Sequence, residues 1–233
     1  MERTLTRLLG GLRQHRRSLH LWALAAPIMA AAMLVSAAVA EQPVPQDLEF
    51  KIVREGDDIG HHRITFRKDA EKLVVRSDLK IEVKMLAFTA YRYEQTRSEV
   101  WRDRKLVALT SVANDDGTFY DIKGQAGPNG LRVTSRGKSW TLPADSVPAS
   151  YWNVSMVTTR SSPLIDAQSG TILDATVKKI GQERIWAGGK EVVATHYRLG
   201  TKRPRDLWYD AQGRWVKMRA KGSDGSVAEW VLE

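Results

Sequence analysis

KLVVRSDLKIEVK, residues Lys72 to Lys84, decides the fold. Leu73, Val75, Leu79, Ile81 and Val83 fall on one side of an extended chain. Arg76, Asp78, Lys80, Glu82 and Lys84 fall on the other. A period of two with one apolar and one charged side is the signature of a strand with a buried face and a wet face. The run is long for a strand, which points to a strongly curved sheet.

The same pattern repeats outward in both directions, with turn residues between the runs. Leu48 to Arg54 leads through Glu55-Gly56-Asp57-Asp58 into Ile59 to Lys68. Lys105 to Val112 leads through Asn114-Asp115-Asp116-Gly117 into Thr118 to Lys123, and Arg136-Gly137 joins Leu131–Ser135 to Lys138–Leu142. Later runs are Ile172–Ile180, Glu191–Leu199, Leu207–Tyr209, Arg214–Ala220 and Ser226–Leu232. Glycine, asparagine and aspartate at such joints supply the positive φ of tight hairpins. About a dozen strands with almost no helical periodicity predict an all-β fold. The expected architecture is a single curved antiparallel meander, a half-barrel, barrel or β-roll that hides its edges by curling. The outward faces carry lysine, arginine and glutamate, so the pattern is not that of a membrane barrel.

Two stretches depart from this pattern. Tyr91 to Arg102 (YRYEQTRSEVWR) places Tyr91, Tyr93, Gln95, Arg97, Glu99 and Trp101 on one face. Aromatics bracketing a charge pair suit a polar lumen, where a buried Arg97 needs Glu99 as its partner. The competing reading is an edge strand with exposed salt bridges. The second stretch is LPADSVPASYWNVSM, Leu142 to Met156. Two prolines forbid a central strand, so the segment leaves the sheet. Tyr151 and Trp152 carry too much apolar surface to lie free in water. The segment is expected to cap one end of the curled sheet, with Trp152 as a plug, Asn153 satisfying backbone groups and Ser150 as the N-cap of a short helical turn. The alternative is a lid over a cavity, with Tyr151 and Trp152 at its mouth.

The first forty residues read as an export signal. Five arginines and one glutamate precede an apolar run, Leu21 to Ala40, which ends Ala38-Val39-Ala40. A basic n-region, an apolar h-region and an A-x-A end describe a secretory signal peptide cleaved after Ala40; an uncleaved inner-membrane anchor is the alternative. Arg16-Arg17 also resembles a twin-arginine signal. The expected organisation is signal peptide 1–40, flexible linker 41–47 and a single β domain 48–233. The formal charge of +9 falls to about +5 without the signal and forms no block, which argues against nucleic acid as a partner. The absence of cysteine removes disulfides, thiolate catalysis and Cys-ligated zinc from consideration.

No motif of nucleophilic or metal catalysis is present: no G-x-S-x-G elbow, no H-E-x-x-H and no phosphate-binding glycine loop. His61 and His62 are adjacent on a strand and point to opposite faces. The Asp-Gly joints at Asp166–Gly170 and Asp210–Gly213 offer one carboxylate each, fewer than a calcium loop needs. No metal and no cofactor is expected. A glycosidase-type carboxylate pair leaves no sequence signature, and Glu99 with His61 or Asp78 is a conceivable acid–base pair.

Several of these stretches, LP…PASYWN, AYRYEQTRSEVW, LIDAQSGTIL, the Gly56–Gly60 element and LWYDAQGRWVKMRAKGSDGSVAEWVL, resemble a family of Gram-negative periplasmic β-rich proteins, a domain of unknown function. The resemblance spans Leu48 to Leu232 and implies an exported envelope protein without assigned catalytic residues. More distantly the chain is similar to curved-sheet periplasmic carriers of lipoproteins or lipids. The expected function is a non-enzymatic binding or envelope-accessory protein with a cavity for a lipid or other amphipathic small molecule. Tyr91, Tyr93, Arg97, Glu99, Trp101, Tyr151, Trp152 and Asn153 are its candidate contacts, with Arg97 meeting an acidic head group. The alternatives are a hydrolase of envelope glycans or lipids, and a structural partner in an envelope complex.

Overall fold

A computed structural model of the chain describes residues 44–85, 88–159, 162–222 and 224–233. The expected signal peptide, with Ala38 and Ala40, lies outside the described residues, as does the start of the linker. The described part begins with eight hairpin-linked strands: β1 (Leu48–Arg54), β2 (Asp57–Asp69), β3 (Lys72–Met85), β4 (Phe88–Arg102), β5 (Lys105–Asp115), β6 (Thr118–Gly127), β7 (Gly130–Ser135) and β8 (Lys138–Leu142). A connecting segment, 143–175, holds two short strands, β9 (Val147–Pro148) and β10 (Leu164–Ile165), and a single helical turn, α1 (Ser155–Thr158). Five further strands follow: β11 (Thr176–Ala187), β12 (Lys190–Gly200), β13 (Arg205–Tyr209), β14 (Trp215–Lys221) and β15 (Val227–Leu232).

Thirteen of these strands form one antiparallel sheet in the order β11-β12-β13-β14-β15-β1-β2-β3-β4-β5-β6-β7-β8. The chain enters in the middle, at β1, and reaches the β8 edge by hairpins alone. It then passes through 143–175 to the opposite edge, β11, and returns until β15 pairs with β1. The sheet is all-β and curled as expected, and it is open: β8 and β11 are its two edges. Its turns follow the rule for twisted hairpins. Asp116 and Gly117 both take positive φ, 49° and 89°, which matches the twist of the strands they join.

One face of the sheet is the core. Phe50 and Ile52 of β1, Ile64 and Phe66 of β2, Val75 of β3, Leu109 of β5, Ile122 of β6 and Val133 of β7 are all buried on it. Leu207 and Tyr209 of β13 and Met218 and Trp230 near the C terminus continue it. The face is covered by the 143–175 segment, whose Met156, Val157, Leu164 and Ile165 are buried in turn. A sheet with one apolar face must pack that face against something; here the connection between its two edges supplies the second layer.

Three local expectations are corrected. The run Ile172–Ile180 is not one strand: Ile172 makes only an isolated bridge to Ile165, and β11 starts at Thr176 and runs on to Ala187. Ser150 does not cap a helix. It is fully buried with its Oγ 3.3 Å from the Pro148 carbonyl, while Asn153 Oδ1 accepts the Ser155 N–H at 3.0 Å at the start of α1. The Tyr91–Arg102 run is no edge: β4 lies between β3 and β5 with full registers on both sides.

Candidate functional site

The site grows from the register. Because paired residues in a sheet share a face, inner-face residues form rows across β2 to β7. One row is Ile64, Ser77, Arg97, Ser111 and Ile122. The next is Phe66, Val75, Glu99, Leu109, Gly124 and Val133. On the other side of the Arg97 row stand His62, Leu79, Gln95 and Ala113. Arg97 therefore has a small serine on each flanking strand, which leaves lateral room for a guanidinium inside an otherwise apolar face.

Arg97 and Glu99 are 4 % and 1 % exposed, and Arg97 Nε lies 2.9 Å from Glu99 Oε1. The contact is close, but the N–H is not aligned with it. Arg97 Nε and Nη2 and Glu99 Oε1 thus have no hydrogen-bond partner in the protein. Glu99 Oε2, in contrast, accepts two indole N–H bonds, from Trp101 at 2.9 Å and from Trp152 at 3.0 Å. Unpaired buried polar atoms cost about 1–3 kcal/mol each, and a buried ion pair carries a desolvation cost of several kcal/mol per ion besides. Such a centre adds less stability to a core than apolar packing of the same volume would.

His62 lies on the same face, 3 % exposed, with Nε2 2.8 Å from Ser77 Oγ and Nδ1 unpartnered. Burial, then the nearby Arg97 charge, then His61 lower its pKa to about 3, so it is neutral at physiological pH. The His62–Ser77 pair has the spacing of a base and a nucleophile, but a base this weak draws a hydroxyl proton poorly. Gln95 completes the group: its Nε2 donates to Ser111 Oγ at 3.1 Å and to the Ala167 carbonyl of the crossing segment at 3.3 Å.

The crossing segment reaches over this centre rather than capping one end of the sheet. The half-buried Trp152 meets Phe66 and Trp101 edge-on, at ring-centroid distances of 5.3 and 5.6 Å. The Tyr151 ring lies 5.6 Å from Trp215, and its carbonyl accepts the Tyr209 hydroxyl at 2.8 Å. Farther along, Trp140 Nε1 donates to the Gly170 carbonyl at 3.1 Å, and Asp115 Oδ2 accepts from Gln168 Nε2 at 3.2 Å. Tyr151 has φ +64°, a conformation that costs a bulky L-residue of order 1–3 kcal/mol.

The candidate residues thus divide. Arg97, Glu99, Trp101 and Trp152 meet in one cluster. Tyr93 stands on the same face, its hydroxyl pKa pushed up chiefly by burial. Tyr91 is at the rim, donating to Asp115 Oδ1 at 2.8 Å; burial first, then this bond, raises its pKa. Asn153 serves the backbone of α1 and does not reach the centre. The acid–base pairs suggested by sequence are not assembled: His61 and Asp78 belong to the opposite face, where Asp78 accepts from Thr96 at 3.1 Å. Gln95 shares the predicted polar face of β4, but neither it nor His62, Ser77 and Ser111 is among the candidate contacts, although one trace of them is legible in the sequence. Ser77 is the one polar residue on the apolar side of KLVVRSDLKIEVK, and it pairs with Arg97.

Two other features lie apart from this centre. An open groove of about 520 Å³ beside the β1–β2 turn is lined by Arg54, Asp57, Asp58, His61, Lys80 and Glu82 among others, with none of the candidate ligand contacts. On the face that carries Trp208, His196 lies between Glu183 and Asp206, 3.0 Å from one and 2.8 Å from the other, through opposite ring nitrogens. Among the described residues no three histidine or carboxylate side chains are grouped so as to hold a metal ion. Asp166 and Asp210 instead accept backbone N–H bonds within their own turns, from Gln168 at 2.8 Å and from Arg214 at 2.8 Å.

Comparison with known proteins places this geometry in a family and a fold. No curated protein matches the chain. Among solved structures, the chain is similar to a beta-barrel-like protein of domain of unknown function DUF1849 from Brucella abortus. The identity is 12%, the match covers 83% of this chain and 98% of that one, and the TM-score is 0.60. At that identity the likeness extends to the fold alone. The family match is direct and takes in every strand of the sheet: over residues 50–233, the chain belongs to the family described as Domain of unknown function (DUF6134).

Proposed function

We propose that the protein is an exported, non-enzymatic binding protein of the cell envelope. It holds an amphipathic ligand on the inner face of its sheet, beneath the Leu142–Met156 segment. One observation carries this reading: Arg97, Glu99 and His62 are buried in the core with polar atoms that no protein group satisfies. Ligand sites are largely apolar pockets with a few convergent polar groups, and the apolar part here is Phe66, Val75, Leu109 and the two indoles. The cover is built to move. It is strained at Tyr151 and held to the centre by the bond from Trp152 to Glu99. Trp152 acts as plug in the closed state and as lid when a ligand enters. The basic and apolar N-terminal forty residues with their A-x-A end support export.

A second reading, a structural partner in an envelope complex, is favoured by the edge-on packing of Trp152 on Phe66 and Trp101, which fills the interior. Native mass spectrometry of gently purified protein separates the two. A reproducible extra mass that is lost in folded Tyr93→Ala and Trp152→Ala variants supports the binding protein. A bare polypeptide mass from fresh, folded protein overturns it in favour of the structural partner.

A further inference from the structure

We infer that the Arg97–Glu99 centre selects a neutral head group that both donates and accepts hydrogen bonds, a hydroxyl or a primary amide, and rejects carboxylate and phosphate head groups. This rests on the binding reading above and reverses the expectation that Arg97 meets an acid.

The argument is one of charge and of unfilled hydrogen bonds. Arg97 is already matched by Glu99 at 2.9 Å, both almost wholly buried. His62 adds no charge, since burial keeps it neutral. The centre as a whole therefore carries no net charge. An anion placed against Arg97 would also face the Glu99 carboxylate in a medium of low dielectric, where like charges repel strongly. An ammonium group placed against Glu99 would face Arg97 in the same way.

The unfilled positions point to the same chemistry. Arg97 Nη2 is a donor without an acceptor, and the 2.9 Å contact between Arg97 Nε and Glu99 Oε1 is not aligned as a hydrogen bond, so Oε1 still has a lone pair to offer a donor. A hydroxyl or primary amide satisfies both sides at once. An ester carbonyl satisfies Arg97 alone and leaves Glu99 Oε1 unpaired, a loss that buried sites enforce strongly. Trp152 supports this from a separate direction. In the closed form its neutral indole N–H donates to Glu99 Oε2 at 3.0 Å. A ligand that displaces Trp152 takes over a neutral donor's place. Ser77 and Ser111, on either side of Arg97, keep the flanks small and polar.

The test uses three probes with one shared acyl chain: monooleoylglycerol, oleic acid and methyl oleate. They are titrated into the full chain, with binding read by native mass spectrometry and by tryptophan fluorescence. Monooleoylglycerol is expected to bind at least ~tenfold more tightly than either of the others, the scale of one buried hydrogen-bonded group. Glu99→Gln turns the centre net positive, and oleic acid is then expected to overtake monooleoylglycerol. If oleic acid binds best to the unaltered protein, or the three bind alike, the head-group inference is overturned while the binding reading stands. If folded protein binds none of the three, both fail. The unaltered protein decides the matter even where Glu99→Gln does not fold.

Discussion

At the scale of single residues, His62 gives the sharpest expectation. Its pKa is lowered to about 3 in the folded state by burial and by Arg97, against about 6.5 in an unfolded chain. The unfolded state therefore binds the extra proton throughout that interval. Stability is full above pH ~6.5 and falls as the pH drops towards 3, with a slope approaching about 1.4 kcal/mol per pH unit. His62→Gln keeps a partner for Ser77 and removes the titration. Between pH 6.5 and 5, urea unfolding should show the native protein losing about 1.6 kcal/mol more than the variant; equal losses would mean that His62 titrates normally. Trp152 gives a second expectation. Its N–H bond to Glu99 is charge-assisted, so Trp152→Phe should cost about 2 kcal/mol. In a Glu99→Gln background the same change should cost less than about 1 kcal/mol, because a neutral acceptor binds the N–H more weakly. Equal costs in the two backgrounds would show that Trp152 contributes packing alone. Residues such as Arg97 and Glu99 were legible from alternation, since Tyr93, Gln95, Arg97, Glu99 and Trp101 share a parity. His62 was not, because its role depends on which strand lies beside β2, and parity within one strand says nothing about neighbours.

At the scale of elements, strand type and turn position were legible wherever side chains alternate and glycine or aspartate marks the joint, as from β1 to β8. The reading failed where alternation was absent. The run from Ile172 to Ile180 mixes a turn with the start of β11, and its apolar residues do not mark one extended stretch. Close strand approach was likewise invisible. Gly60 faces Ile81 of β3 with φ +152°, and a Cβ there would lie 2.0 Å from the Lys80 carbonyl oxygen. Nothing but a shift of the β2–β3 backbone relieves that clash. Gly60→Ala should therefore cost at least ~3 kcal/mol and lower Tm by about 10 °C for a domain of this size. Gly181, in a bulge of β11 with nothing within 4 Å of its added Cβ, is the matched control. Gly181→Ala should change stability by less than about 1 kcal/mol. Calorimetry of both variants checks the contrast, and a Gly60→Ala protein as stable as Gly181→Ala would mean that β2 and β3 separate at Gly60 at little cost.

At the scale of the whole molecule, the topology separates two roles that the sequence ran together. Hairpins build the sheet from local pairings, whereas 143–175 builds the second layer by crossing from one edge to the other. The ends of the described chain meet: β15 pairs with β1, and the Glu233 N–H donates to the Glu49 carbonyl at 2.9 Å. Close termini allow circular permutation at exposed tips. A permutant that joins Glu233 to Val44 through a short Gly/Ser linker and opens at the exposed Arg136–Gly137 turn leaves the covering layer intact. It should fold within about 2 kcal/mol of the parent, because opening such a tip exposes no core. The same permutant opened between Tyr151 and Trp152 cuts the cover where it is pinned to Glu99, Tyr209 and Trp215. Trp152 could then leave the core freely, exposing Phe66, Trp101 and a buried ion pair to water. Its unfolding midpoint in urea should fall well below that of the first permutant, with the 143–175 amides exchanging before those of β1 to β5. Equal midpoints would show that the sheet stands without its cover, and the crossing would then be a connection rather than half of the fold.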